Sequence, residues 1–408
     1  MSPSTIKFPD RHWSLDPSLT FLNHGSYGAV PVAVQETLAQ LRQRCERDPV
    51  RFFKVDLADL LDEARSAVGG FINCRPADLG FMPNATVALA TILANTPLEP
   101  GDEILITDHE YQSLLNELER VAARTGAVVV KARIPFPLTD PAQVVERYLG
   151  AVSSRTKLAL ISHCTSATAL IFPVAPIAAA LNARGIDVCV DGAHAPGQIP
   201  VDVAALNPTY YIGSGHKWMC GPKGAGFMFV RADRQGEFRS LWLSSRAHKD
   251  KPERARYLRD FDYFGTADYT PILALPAAIR EVGAMHPGGW AGIMRANTSL
   301  SLASRALLSN ALGVAPAAPD SMVGAMYSLP IPEPAPEMAQ RPTIYDDALQ
   351  DELLARHRIQ VPVWRLNTDE QRIVRVSAQI YNSLEQYERL GRALGEELSR
   401  ERGVRATG

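Results

Sequence analysis

The sequence predicts an α/β protein, a large domain on a mostly parallel sheet followed by a smaller α+β domain. Three observations carry this. Apolar strand candidates alternate with helical patterns as far as Val230, the signature of a parallel sheet covered on both faces. Residues with chemistry, Asp108, His163, Asp191 and Lys217, all stand at or just after the carboxyl ends of those strands, where ligands bind in such sheets. The alternation then stops after His286-Pro287-Gly288-Gly289.

Taken in order, residues 32–47 read as an amphipathic helix, with Leu38, Leu41 and Cys45 at helical spacing. Residues 52–68 read as a second. The strand-like Leu79-Gly80-Phe81-Met82 leads through Asn84-Ala85-Thr86 to a helical stretch at 87–93. Strands at 103–107, 127–130 and 158–162 precede helices at 112–124, 142–152 and 175–183. Further strands follow at 186–190, 210–213 and 227–230. Beyond the break, a helix is expected over 293–312 and an apolar segment over 322–331. Residues 330–336 hold too much proline for regular structure and must loop over the surface. A helix at 345–355, strands at 359–363 and 373–376, and an amphipathic helix at 383–400 close the chain. The expected division is an N-terminal segment (1–28) over the site, a large domain (29–286) and a small domain (287–408).

The bulk properties narrow the function. With 408 residues, 46% hydrophobic and 21% charged, the chain can bury a large core. A formal net charge of −2 gives no electrostatic case for nucleic acid or an anionic membrane. No run approaches the ~18 apolar residues of a membrane span, and the first residues lack the basic-then-apolar pattern of a signal peptide. Five scattered cysteines without a CxxC pair suggest neither a disulfide framework nor a zinc knuckle. The expected compartment is the cytoplasm.

The chemistry is concentrated in Ser214-Gly215-His216-Lys217-Trp218. A lysine after a strand, flanked by small residues, can reach into a cleft and form an imine with a carbonyl. Asp191, ending another strand, can face a protonated pyridine nitrogen. Acid and lysine together are what pyridoxal 5'-phosphate (PLP) requires. Its phosphate has a seat where Ala85 and Thr86 begin a helix, with backbone N–H groups and a hydroxyl as donors; Ser214 and His216 stand beside the lysine. Asn84 alone would be an ordinary N-cap. His109, with Tyr111 as the alternative, is a flat residue placed to stack on the ring, and His194 can reach its phenolic oxygen. His163 and Thr165 are further candidates for the pocket lining. Four histidines at strand ends raise the question of a metal, but no HxH or HxxxH pair occurs.

The stretch from Asp191 to Gly226 resembles the active-site signature of class V aminotransferase-type PLP enzymes of fold type I. The resemblance extends to Phe21-Leu22-Asn23-His24-Gly25-Ser26-Tyr27-Gly28 and Arg375-Val376-Ser377. The Asn-His-Gly-Ser-Tyr-Gly opening, Asp108-His109-Glu110-Tyr111 and the run Thr165 to Pro173 are most similar to the isopenicillin N epimerase-like branch, which also holds enzymes similar to hercynylcysteine sulfoxide lyase. The resemblance implies a large domain with a mostly parallel sheet of the seven-stranded type. It implies Lys217 as the lysine that holds PLP, Asp191 as the ring-nitrogen partner, His194 on the ring oxygen and His109 stacked. Ala85, Thr86, Ser214 and His216 would hold the phosphate. Thr266, after Gly265, would reach the phosphate of a neighbouring subunit, implying a homodimer. Arg375 would grip the substrate α-carboxylate as a planar fork, with His24 and Tyr27 near the substrate.

The reaction expected is Cα proton removal from an amino-acid-type substrate, with Lys217 as base. Epimerisation is the first reading; C–S elimination or transamination are the alternatives, and a PLP-binding protein without turnover is the remaining one. Cysteine desulfuration is disfavoured, because no cysteine lies between Gln360 and Arg375. Cys220 reads as packing.

Overall fold

The computed structural model describes residues 12–247, 253–366 and 371–403. Part of the expected N-terminal segment (1–11), residues 248–252 of the expected large domain, and residues 367–370 and 404–408 of the expected small domain lie outside these.

Among the described residues, twelve strands form three sheets. They are β1 (Thr20–Phe21), β2 (Leu79–Met82), β3 (Glu103–Thr107), β4 (Val128–Ala132), β5 (Thr156–Ser162), β6 (Asp187–Asp191), β7 (Tyr210–Ser214), β8 (Gly226–Val230), β9 (Met326–Pro330), β10 (Ile359–Gln360), β11 (Val363–Arg365) and β12 (Arg372–Ser377). The seven-stranded sheet runs β2-β8-β7-β6-β5-β3-β4. Only β8 runs against its neighbours, antiparallel to both β2 and β7, so the carboxyl ends of the other six strands share one edge. The near-continuous apolar strands are what burial on both faces demands, and the period-two alternation divides them. Leu105, Ala159, Ile161, Val188, Val190 and Phe227 join the core on one face. Ile104, Ile106, Leu158, Leu160, Cys189 and Met228 join the core on the other.

The helices close both faces. Val32–Arg47 lies where the spacing places it. The second helix is longer than expected: an α-helical turn at Pro49–Arg51 and a π-helical turn at Phe52–Asp56 lead into regular α-helix over Leu57–Ile72. Phe52 packs edge-on against Phe53 at 5.4 Å in that wide turn. Gln112–Thr125, Ala142–Gly150 and Val174–Asn182 follow the alternation.

After the 24-residue helix Gly289–Leu312, β11-β12-β9 form an antiparallel sheet, covered by the capped helix Leu384–Glu401. The single strand expected over 359–363 is two. Its first part, β10, pairs in parallel with β1 near the N-terminus, and β11 pairs with β12; Pro362, which cannot donate a ladder hydrogen bond, separates them. The short pair β1-β10 ties the N-terminal segment to the C-terminal region.

Candidate active site

A cavity of about 200 Å3 opens at the shared strand edge. Its lining includes Ala85, Thr86, Asp191, His194, Ser214, His216 and Lys217, so the carboxyl ends of β2, β6 and β7 and the segments that follow them supply these groups. Backbone close approach makes this convergence possible. Ser214 lies opposite Gly226 across the β7-β8 ladder, and a Cβ on Gly226 would stand 2.7 Å from the Asn84 Cα. Glycine there lets the start of helix Ala85–Asn95 reach the lysine-bearing turn. That helix is capped by Asn84, whose side chain accepts from the Val87 N–H at 3.0 Å, while the Thr86 hydroxyl lies 3.2 Å from that of Ser113.

Asp191 ends β6 with its carboxylate accepting from the Ala193 N–H at 2.8 Å. Burial raises its pKa, opposed by that hydrogen bond and by the charge of Lys217. The same burial pulls Lys217 down to about 8, against the attraction of Asp191. The Lys217 Nζ lies 2.9 Å from His194 Nε2 and 5.8 Å from the centre of the Tyr111 ring. His216 is pushed down to about 4 by burial, and its Nδ1 is buried with no hydrogen-bond partner.

Four expected residues are placed elsewhere. His109 is buried but absent from the cavity wall: its Nδ1 lies 2.7 Å from the Thr168 hydroxyl and its Nε2 2.9 Å from the Ile134 carbonyl. Tyr111, two residues on, is a flat side chain that does line the cavity. His24 is fully buried away from it, its Nδ1 2.8 Å from the Tyr381 hydroxyl and its Nε2 3.1 Å from the Lys217 carbonyl; Tyr27, from the same segment, does line the cavity and is exposed. Thr266 is exposed and pairs with the Tyr263 hydroxyl at 3.0 Å, outside this chain's cavity. Arg375 lies one layer behind the wall. Its Nη1 donates to the Ser166 carbonyl at 2.7 Å and its Nη2 to the Ser26 hydroxyl at 2.9 Å, and both serines line the cavity. Trp364 packs 4.6 Å beneath the guanidinium, and the Nε has no partner.

Sequence reading missed the serines. Ser162, Cys164 and Ser166 line the cavity, whereas His163 and Thr165 between them turn away; the period-two alternation of an extended segment was the available signal. It also passed over Glu110, a buried carboxyl that accepts from the Ser162 hydroxyl at 2.5 Å and is pushed up to about 7 by burial.

The site fits PLP on its own geometry. It offers a helix N-terminus with hydroxyls for an anion, an orphaned imidazole nitrogen beside it, a lysine with a depressed pKa and a carboxylate across from that lysine. Among the described residues no group of His, Cys, Asp and Glu could hold a metal ion.

Comparison with known proteins agrees. The aminotransferase class-V family model matches residues 29–318. The chain is 36% identical over 397 residues to an isopenicillin N epimerase of Amycolatopsis lactamdurans, covering 94% of this chain and 96% of the relative. It is 26% identical to a probable chloroplastic L-cysteine desulfhydrase of Arabidopsis thaliana, covering 93% and 83% respectively. A solved structure of a C-DES variant with glycine covalently linked to its PLP cofactor superposes with a TM-score of 0.78 at 22% identity, covering 95% of this chain and all of that one. The chain belongs to the class-V aminotransferase family, and it is a PLP-dependent enzyme of fold type I.

Proposed function

We propose that the protein removes the Cα proton of an amino-acid or amino-acid-derived substrate and returns it with inverted configuration, as an epimerase of the isopenicillin N epimerase type. The observation that carries this choice is the 36% identity to such an epimerase across nearly the whole of both chains. When bound, PLP supplies a protonated ring that draws electrons from the substrate Cα and acidifies its proton.

The chain's own residues do the rest. Lys217 would hold the cofactor, and its amine would serve as the base at the substrate Cα; its depressed pKa suits a proton acceptor near neutrality. Asp191 keeps the ring nitrogen charged. Ala85, Thr86, Ser214 and His216 receive the phosphate. Tyr111, rather than His109, is the flat residue for the ring, on the strength of its place in the cavity wall. Arg375 receives the α-carboxylate by exchanging its present acceptors, the Ser166 carbonyl and the Ser26 hydroxyl. The active form is a homodimer in which Thr266 reaches the neighbouring subunit's phosphate site, which is consistent with its exposure here. The cysteines are free, in keeping with the reducing cytoplasm as the compartment. No described helix is long and apolar enough to cross a membrane.

A specific observation supports C–S elimination as the second reading: the 26% identity to a probable L-cysteine desulfhydrase spans 93% of this chain. Chiral chromatography and a sulfide assay on one reaction separate the two. Conversion of an L-amino-acid substrate into its epimer without sulfide release supports the proposal. Sulfide and a keto acid from cysteine, with no epimer of any substrate, would replace it with the lyase.

A further inference from the structure

Trp218 follows the lysine directly, and its ring is completely buried. An indole N–H can only donate. It points at His194 Nδ1 from 3.3 Å, so that nitrogen must present a lone pair. The other ring nitrogen, Nε2, lies 2.9 Å from Lys217 Nζ.

We propose that Trp218 is a positioning residue that fixes His194 as the Nε2–H tautomer and thereby aims one N–H at the reactive end of Lys217. A neutral imidazole carries one proton, and an acceptor role for Nδ1 sends it to Nε2. That N–H needs a lone pair opposite it, which a lysine amine has and an ammonium lacks. The chain Trp218 to His194 to Lys217 therefore stabilises the neutral lysine. Burial acts in the same direction on both partners: His194 is held far below the ordinary histidine range, so it does not compete as a cation. The other groups whose charge reaches this pair are Asp191, which favours the ammonium, and Arg375, His216 and His24, which oppose charge on it or on His194. Tyr111 faces the lysine across the cavity.

The geometry extends to the loaded enzyme on the proposed reading that His194 meets the phenolic oxygen of PLP. The same Nε2–H then has an oxygen acceptor, and Trp218 prevents the ring from turning a lone pair toward it.

Nitrogen-15 NMR of the histidine rings tests this on the apo protein, with His194→Gln identifying the signal by its loss. The expected spectrum is a neutral His194 protonated at Nε2. A His194 protonated at Nδ1 would overturn the proposal without any variant. Trp218→Phe keeps an aromatic ring and removes the donor. It should give mixed tautomers and move the pH midpoint for covalent capture of PLP by Lys217 upward by as much as about one unit, the worth of one buried hydrogen bond. An unchanged tautomer in a folded Trp218→Phe protein would also overturn it. Adding PLP separates the two ideas. An Nε2–H signal present in the apo protein but unmoved by PLP removes the contact with the phenolic oxygen and leaves the Trp218 assignment standing.

Discussion

Lys217 and Arg375 are both basic residues in low-dielectric surroundings, and the site uses that differently in each. Burial lowers Lys217 to about 8, so the amine that attacks an aldehyde is already present near neutral pH. The sign follows directly. The apo protein should capture PLP covalently at a rate that rises with pH and levels off above about 8, because only the unprotonated lysine reacts. A stopped-flow series across pH measures it, and a midpoint near the ordinary lysine value would show that the side chain is solvated. Borohydride reduction followed by peptide mapping should place the pyridoxyl group on Lys217 and not on Lys223. For Arg375, replacing the guanidinium by Arg375→Ala removes a desolvated, charge-assisted contact, typically worth about 2–5 kcal/mol. kcat/KM should fall by more than tenfold for any substrate with a free α-carboxylate, whereas a substrate amide should be nearly unaffected. At this scale the sequence was legible for residues set by local motif. Lys217, Asp191, His194, Ser214 and His216 do come together. It was not legible for His109 and His24, because which way a side chain turns at a strand end depends on partners far along the chain, Thr168 and Ile134 for one and Tyr381 for the other.

Among the elements, the N-terminal segment and the lysine-bearing turn are held in register by glycines. Gly28 has φ +67°, and a Cβ there would stand 2.1 Å from the His216 carbonyl. Gly28→Ala therefore meets both strain and a backbone clash; a loss of more than about 1 kcal/mol is expected, read as a lower denaturation midpoint together with weaker PLP retention. Gly226→Ala is a sharper probe of the anion seat. Its Cβ would meet the backbone of Asn84, displacing the start of helix Ala85–Asn95. PLP affinity should drop more than global stability does, as comparison of a PLP titration with chemical denaturation would show. Equal losses would indicate a general packing defect. Long periodic helices such as Val32–Arg47 were readable because one face repeats over several turns. The π-helical turn at Phe52–Asp56 and the reversal of β8 were not. A buried apolar strand carries no mark of its direction, since only its pairing decides it.

For the whole molecule, the alternation of apolar strands and helices specified a parallel sheet because both of its faces must be buried, and the cavity follows at the carboxyl edge. Pairing between β1 and β10 was not readable, since two-residue strands have no periodicity. The proposed dimer belongs to this scale as well. Sedimentation at assay concentration should find two chains per active particle, and a fully active monomer would contradict the role given to Thr266. The central claim is that the assembled site performs Cα proton chemistry with Lys217 as base. Incubating the PLP-loaded enzyme with a panel of amino acids and amino-acid-derived compounds in deuterated water tests it most directly. The account predicts deuterium at Cα together with loss of chirality for at least one compound, and loss of that exchange in Lys217→Ala. Exchange at the wild-type rate without Lys217, or no exchange with any compound in an enzyme that holds PLP, would contradict it.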